Sequence, residues 1–185
     1  MCWHKENPKK HVMALEILRR YVTEAEPLIN KQLRLNNADA NEVALFDSLF
    51  SNSDIPKYMY RWLPSYYVTI IDDILTDNAY LSCSSNPGSF INHVSDKDLA
   101  CYMINTCEEL KTINVNALLP NHNNEGEYIL PRGIKLEVTA DKLYKQSEFS
   151  HFLREIHCND VRDTEMVDIY QIESIRLIKT EIHLD

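Results

Sequence analysis

Two carboxylates stand two residues apart in Glu125-Gly126-Glu127, behind a polar loop and directly before the apolar run Tyr128-Ile129-Leu130. If that run is a strand, its period of two sets both acids on one face at the strand's entrance. Two acids so placed can share work on one substrate. Two other groups precede them. Arg61 lies in the short aromatic run Tyr58-Met59-Tyr60-Arg61-Trp62-Leu63, and a guanidinium matches phosphate oxygens bidentately. Ser82-Cys83-Ser84 overlaps the end of a second short run, Ala79-Tyr80-Leu81-Ser82, and offers two hydroxyls. Singly, each has a plain structural reading. Paired acids are common on surfaces, a lone arginine is more often solvated or salt-bridged, and Ser-Cys-Ser alone is a small-residue turn. Tyr58, Tyr60 and Trp62 read equally well as strand residues packing on helices.

The elements that must position these groups follow from periodicity. Leu15, Leu18, Val22 and Ala25 keep helical spacing. Pro27 ends that helix or opens the next, which carries Ile29 and Leu33. Asn36-Asn37 breaks it, and Val43, Phe46, Leu49 and Phe50 give a third helix. From Tyr58 the texture changes to short, aromatic, strand-like runs. The aromatic run ends at Pro64. The isoleucine-rich stretch from Tyr67 to Leu75 is expected to be a helix. Asn86-Pro87-Gly88 is a turn, and Leu99 to Ile104 a buried strand. Pro120 to Gly126 is a polar loop, read either as a mobile recognition loop or as a plain turn. Glu127–Leu130 and Ile134–Thr139 are strands around the tight turn Pro131-Arg132-Gly133. Phe149, Phe152, Leu153 and Ile156 mark a last helix, with His151 and His157 surface or half-buried on it. Val167–Ile172 and Ile175–Ile178 are expected as closing strands. Helices first and strands later predict an α+β fold with a mainly antiparallel sheet.

Composition excludes several classes. The 185 residues suffice for one domain with a core. A net charge of −9 argues against a phosphate-backbone binder and against an anionic membrane surface. No nucleic acid and no membrane are expected as partners. The five cysteines, Cys2, Cys83, Cys101, Cys107 and Cys158, form no CxxC and no zinc pattern, so they read as reduced thiols. No metal is expected. No apolar run is long enough to span a bilayer. The N-terminal stretch from Met1 to Pro8 is too polar for a signal peptide, and an export signal could lie outside this sequence.

Taken in order, Arg61, Ser82-Cys83-Ser84 and Glu125-x-Glu127 resemble the R-S-E signature of mono-ADP-ribosyltransferases. The Glu-x-Glu stretch continues as Tyr128-Ile129-Leu130-Pro131-Arg132-Gly133, similar to that family's aliphatic-leucine-proline-x-glycine run. Upstream, Tyr21 and Ile29-Asn30-Lys31-Gln32-Leu33-Arg34 resemble the family's helical lead-in. The resemblance runs from about Tyr21 to Thr139. Two departures stand out: Trp62 where a glycine usually follows the arginine, and Cys83 where threonine is usual.

The resemblance implies an ADP-ribosyltransferase-like fold. Its N-terminal helices would pack on two small, mainly antiparallel sheets that form an NAD cleft. It implies a single domain over 1–185, with a helical lead-in over 1–52 and an NAD-binding sheet core over 53–185. It implies NAD as substrate and no metal. Glu127 would stabilise the oxocarbenium-like transition state as nicotinamide leaves. Arg61 would bind the NAD phosphates. Ser82 would hold Glu127 or the ribose, and Ser84 would support the strand end. Phe90 would stack on nicotinamide. Glu125 would face the acceptor, an arginine or a threonine of a target protein. The implied partner is a host protein (actin, a small GTPase or ubiquitin), met by a secreted toxin or effector in the host cytosol. Two alternatives remain open at this point: a catalytically silent interaction domain on the same fold, which Trp62 favours, and an NAD glycohydrolase.

Overall fold

The computed structural model describes residues 8–24, 27–52, 54–89, 96–122, 126–157 and 172–184. The chain opens with three helices, α1 (Pro8–Thr23), α2 (Leu28–Arg34) and α3 (Ala40–Asp47). Pro27 stands at the N-cap of α2, as its fixed φ suits. Asn36 takes a left-handed φ of 55 and ends that helical segment. Asp39 caps α3, its carboxylate accepting from the backbone N–H of Asn41 and Glu42. The apolar faces of the three helices meet in one cluster built on Leu18, Tyr21, Ile29 and Phe46.

Among the described residues eight strands follow: β1 (Tyr58–Pro64), β2 (Ile74–Thr76), β3 (Leu81–Ser84), β4 (Asp98–Asn105), β5 (Ile113–Asn114), β6 (Glu127–Leu130), β7 (Lys135–Lys145) and β8 (Ser174–His183). Two short helices interrupt them, α4 (Val115–Leu118) after β5 and α5 (Phe149–Glu155) after β7. The sheet order is β2-β7-β8-β4-β1-β3-β6-β5. Every pair is antiparallel except β4 with β8, which is parallel. The expected α+β class with a mainly antiparallel sheet is the class observed.

The expected two sheets are joined by hydrogen bonding into one. The join is narrow, since β1 meets β3 through the single register pair Tyr60↔Ser84, whereas β1 meets β4 over its whole length. Packing nevertheless separates two leaves. Met59, Ala100, Tyr102 and Ile104 from one leaf share a core with Leu81, Cys83 and Leu130 from the other. The helices α1 to α3 cover the outer side of the β3-β6-β5 leaf through Tyr80, Ile113 and Ile129. Helix α5 covers the larger leaf through Phe149 and Phe152, packed on Trp62, Leu99 and Leu177.

One expectation is corrected. Tyr67 to Leu75 is not a helix: a single 3-10 turn, Ser65–Tyr67, is followed by extended chain and β2. The run Val68-Thr69-Ile70-Ile71 is β-branched throughout, which disfavours helix. Asp72 and Asp73 then take φ of 51 and 61, while Ile71 and Ile74 exchange backbone hydrogen bonds of 3.0 and 2.9 Å. Two left-handed residues between hydrogen-bonded neighbours make the tight turn that hairpins favour. The strand after Gly133 runs further than expected, to Lys145, with a bulge between Val138 and Ala140. Of the expected strand Val167–Ile172, residues 167–171 lie outside the described residues.

Candidate active site

The join between the two leaves is where the chemically able residues gather. Strand β1 carries Arg61 with its side chain half-buried. Its Nη1 donates to the carbonyl oxygen of Ser82 on β3 at 2.8 Å. That bond goes to a main-chain acceptor, and the Asp77 carboxylate also feels the Arg61 charge.

Strand β3 brings Ser82 and Ser84 to one face and buries Leu81 and Cys83 on the other. The Ser82 hydroxyl donates to the Tyr21 hydroxyl at 3.2 Å. Ser84 is fully buried, and its Oγ accepts from the Asn86 backbone N–H at 2.9 Å. That bond holds the first residues of the turn against the end of β3. In the β3–β6 pairing, Ser84, not Ser82, stands opposite Glu127, while Ser82 stands opposite Ile129.

Glu127 opens β6 and is only 6% exposed. The residue before it, Gly126, has φ +62, and a Cβ there would meet Ser85 Oγ at 2.4 Å. Glycine meets this left-handed bend without strain, and the Gly126 carbonyl accepts from the Ser85 N–H at 2.9 Å. The bend thus fixes the carboxylate's place on the strand. Both charges, Arg61 and Glu127, act on the Tyr21 phenol and on the Cys83 thiol. Burial pushes the Cys83 thiol up to about 12, with Arg61 opposing and Glu127 adding to the rise. A thiol so raised and so buried is no nucleophile at neutral pH.

The helical lead-in holds β3 in position. Asn30, 5% exposed, spans the backbone of Tyr80: its Nδ2 donates to Tyr80 O at 3.0 Å and its Oδ1 accepts from Tyr80 N at 3.0 Å. Its Nδ2 also donates to the Tyr21 hydroxyl at 3.0 Å, and that hydroxyl donates to Tyr80 O at 3.3 Å. Burial raises the Tyr21 phenol, with the Ser82 hydrogen bond partly opposing. It therefore stays protonated and keeps its donor. Below β3, Arg34 grips Asp77 with two hydrogen bonds of 3.2 and 2.7 Å.

Trp62 does not crowd Arg61. Neighbours on a strand point to opposite faces, and Trp62 packs edge-on against Phe152 at 5.7 Å. Its Nε1 donates to Pro87 O at 2.8 Å, which ties down the turn after Ser84. The tryptophan is a strut of the β3 exit.

Arg61, Ser82, Ser84 and Glu127 are thus brought together by adjoining strands. Glu125 and Phe90 lie outside the described residues. Sequence reasoning missed His122, whose Nε2 lies 3.7 Å from Glu127 Oε2. Its place in the loop before the Glu-x-Glu stretch was the available signal. Two surface clefts, one beside Tyr144 and Glu155 and one beside Ile17 and Glu42, lie away from this cluster. Among the described residues, no group of acids, cysteines and histidines is arranged to hold a metal ion.

No family model matches the sequence, and no curated protein does. Solved structures do. The catalytic domain of VahC from Aeromonas hydrophila superposes with a TM-score of 0.58 at 17% identity, covering 92% of this chain and 98% of that one. Plx2a, an ADP-ribosyltransferase toxin from Paenibacillus larvae, gives 0.59 at 12% identity, with 96% and 87% covered. C3stau2 from S. aureus, solved with NAD, gives 0.59 at 16% identity, with 98% and 89% covered. The chain therefore carries the fold of bacterial ADP-ribosyltransferase toxins, the fold that the order of Arg61, Ser82 and Glu127 implied.

Proposed function

We propose that this protein is an NAD-dependent mono-ADP-ribosyltransferase. In this reading it transfers ADP-ribose from NAD to an arginine or threonine side chain of a target protein and releases nicotinamide. The observation that carries the reading is the placement of a guanidinium and a buried carboxylate on the strands that meet at the join of the leaves. A half-buried guanidinium held by a backbone carbonyl suits an anionic ligand. A carboxylate that is 6% exposed at the head of the neighbouring leaf suits a developing cation. Those two demands are the ones NAD makes when its glycosidic bond breaks, since it presents a diphosphate and a ribose that becomes positive.

Arg61 would bind the diphosphate. Glu127 would accept from a ribose hydroxyl and stabilise the cationic ring. Ser82 would orient the ribose, while Ser84 buttresses the strand position opposite Glu127. Phe90 would stack on nicotinamide. Glu125 would orient the acceptor and take its proton. The whole chain would serve as one such domain, acting as a secreted toxin or effector on a protein of a host cell's cytosol.

Incubation with labelled NAD and a eukaryotic cell lysate tests the reading. Label on a protein is the expected result. Nicotinamide release without labelled protein would instead mark a glycohydrolase. The absence of both products would overturn the assignment.

A further inference from the structure

His122 stands where no part of that mechanism needs a residue, yet it faces the mechanism's central carboxylate. Its Nε2 lies 3.7 Å from Glu127 Oε2, and the two side chains are 20% and 8% exposed. Both partners are anchored by their backbones. Helix α4 is capped by Asn114, whose carboxamide oxygen accepts from Ala117 N, and it ends at the buried Leu119. The His122 N–H then donates to Leu119 O at 2.9 Å, fastening the imidazole to that core. Glu127 is fastened through the Gly126 bend against Ser85. The contact is therefore set by folded structure on both sides.

At 3.7 Å the contact is longer than a hydrogen bond and within ion-pair range. The imidazole edge and the carboxylate therefore face each other across a short gap between two anchored backbones. A polar ring mostly shielded from water acts on a nearby carboxylate with little screening. We propose that His122 is a positioning residue for Glu127: it fixes the direction of the carboxylate before substrate arrives. This rests on the reading of Glu127 as the group that supports NAD cleavage. The residue touches neither substrate nor reacting atoms in this role.

Three variants and one spectrum test it. His122→Gln keeps size and polarity but cannot carry charge. It is expected to lower kcat for nicotinamide release roughly tenfold, with KM for NAD nearly unchanged, because misaimed carboxylate affects the transition state more than the ground state. Hydrolysis and transfer should fall together. His122→Lys should recover part of the loss. In the native protein the 15N resonances of the His122 ring should move on Glu127→Gln. An unchanged kcat in His122→Gln would overturn the proposal. So would a raised KM with kcat intact, or a loss confined to transfer, since either puts His122 in binding or acceptor recognition. Ring resonances indifferent to Glu127→Gln would overturn the pairing whatever the activity. If the native protein cleaves no NAD, the functional reading fails, and the spectrum still decides whether the two residues are paired.

Discussion

Ser84 and Glu127 stand opposite each other across the antiparallel β3–β6 pair, and both are buried. Directly opposite residues of such a pair share a face. The end of β3 and the start of β6 therefore make one small polar floor, and Arg61 reaches β3 from the neighbouring strand. The floor lies at the narrowest part of the sheet, where one register pair joins the two leaves. Strands end there, so side chains can meet a ligand without breaking a ladder.

The first prediction concerns the two acids. Glu127→Ala should abolish NAD cleavage, a loss of about 100-fold to 1000-fold for one electrostatic stabiliser. Glu125→Ala should spare much of the hydrolysis and lose transfer. Nicotinamide release and protein labelling, measured side by side, separate the effects. Full activity in Glu127→Ala would remove this residue from the chemistry.

Arg61→Lys is the second. Lysine keeps the charge but not the planar fork, so a bidentate phosphate contact cannot be rebuilt. It also loses the geometry of the bond to Ser82 O. KM for NAD should rise about tenfold, with a smaller change in kcat. Isothermal titration with NAD would check it. An unchanged affinity would mean that Arg61 serves the strand join alone.

Much of this was legible beforehand, and particular residues say why. Helical spacing marked Leu18, Val43 and Phe46, because an amphipathic face must be apolar every three or four residues. Glu127–Leu130 and the turn at Pro131-Arg132-Gly133 were legible from alternation and turn chemistry. Tyr67 to Leu75 was misread because an isoleucine-rich run fits a buried helix or a strand equally. The deciding feature, two left-handed aspartates at Asp72 and Asp73, shows only in the backbone. The strand β5 has two residues, too few for any periodic signal. At the site, residue types were visible, but partnerships were not. The opposition of Ser84 to Glu127, the approach of His122 and the clamp by Asn30 all depend on register and tertiary placement.

Gly126→Ala gives a third prediction. The φ of +62 disfavours any side chain, and the new Cβ would lie 2.4 Å from Ser85 Oγ. Strain of about 1–2 kcal/mol is expected from the backbone alone. Ser85 can relieve part of the clash by rotating, but only by giving up its hydroxyl bond to Gly126 O. Chemical denaturation should show the loss, and activity should fall further than stability, because Glu127 is the next residue. Gly126→Ala in a Ser85→Gly background should recover stability in part.

Asn30→Ala gives the fourth. The Tyr80 carbonyl would keep its bond from the Tyr21 hydroxyl, but the Tyr80 N–H would lose the acceptor that Asn30 Oδ1 provides. A buried donor left unsatisfied costs about 1–3 kcal/mol. For a chain of this size that is a Tm drop of about 2–4 °C per kcal/mol. The Ser82 hydroxyl would feel the change through Tyr21, so nicotinamide release should fall as well. A thermal scan with no shift would show that the clamp is dispensable.

The last prediction is a pH dependence far from the site. Glu155 on α5 is held down to about 2 from the ordinary 4.5, first by the hydrogen bond from Lys179, then by the Tyr144 hydroxyl, with burial opposing. Its Oε1 lies 2.8 Å from Lys179 Nζ and its Oε2 3.5 Å from Lys142 Nζ. The carboxylate therefore pins α5 to β7 and β8. A depressed carboxylate favours the folded state above the unfolded pKa, and that contribution is lost as pH falls through the folded value. The loss should run from about pH 5 downward to about pH 2. The Glu155 side chain is 31% exposed, so solvent screens the pair and its contribution is modest and salt-sensitive. Glu155→Gln should lower stability to urea at neutral pH, and the gap to the native protein should narrow steadily on acidification. Added salt should narrow it too. A gap that stays constant from neutral pH to about pH 3 would show that the side chain acts there by packing and not by charge.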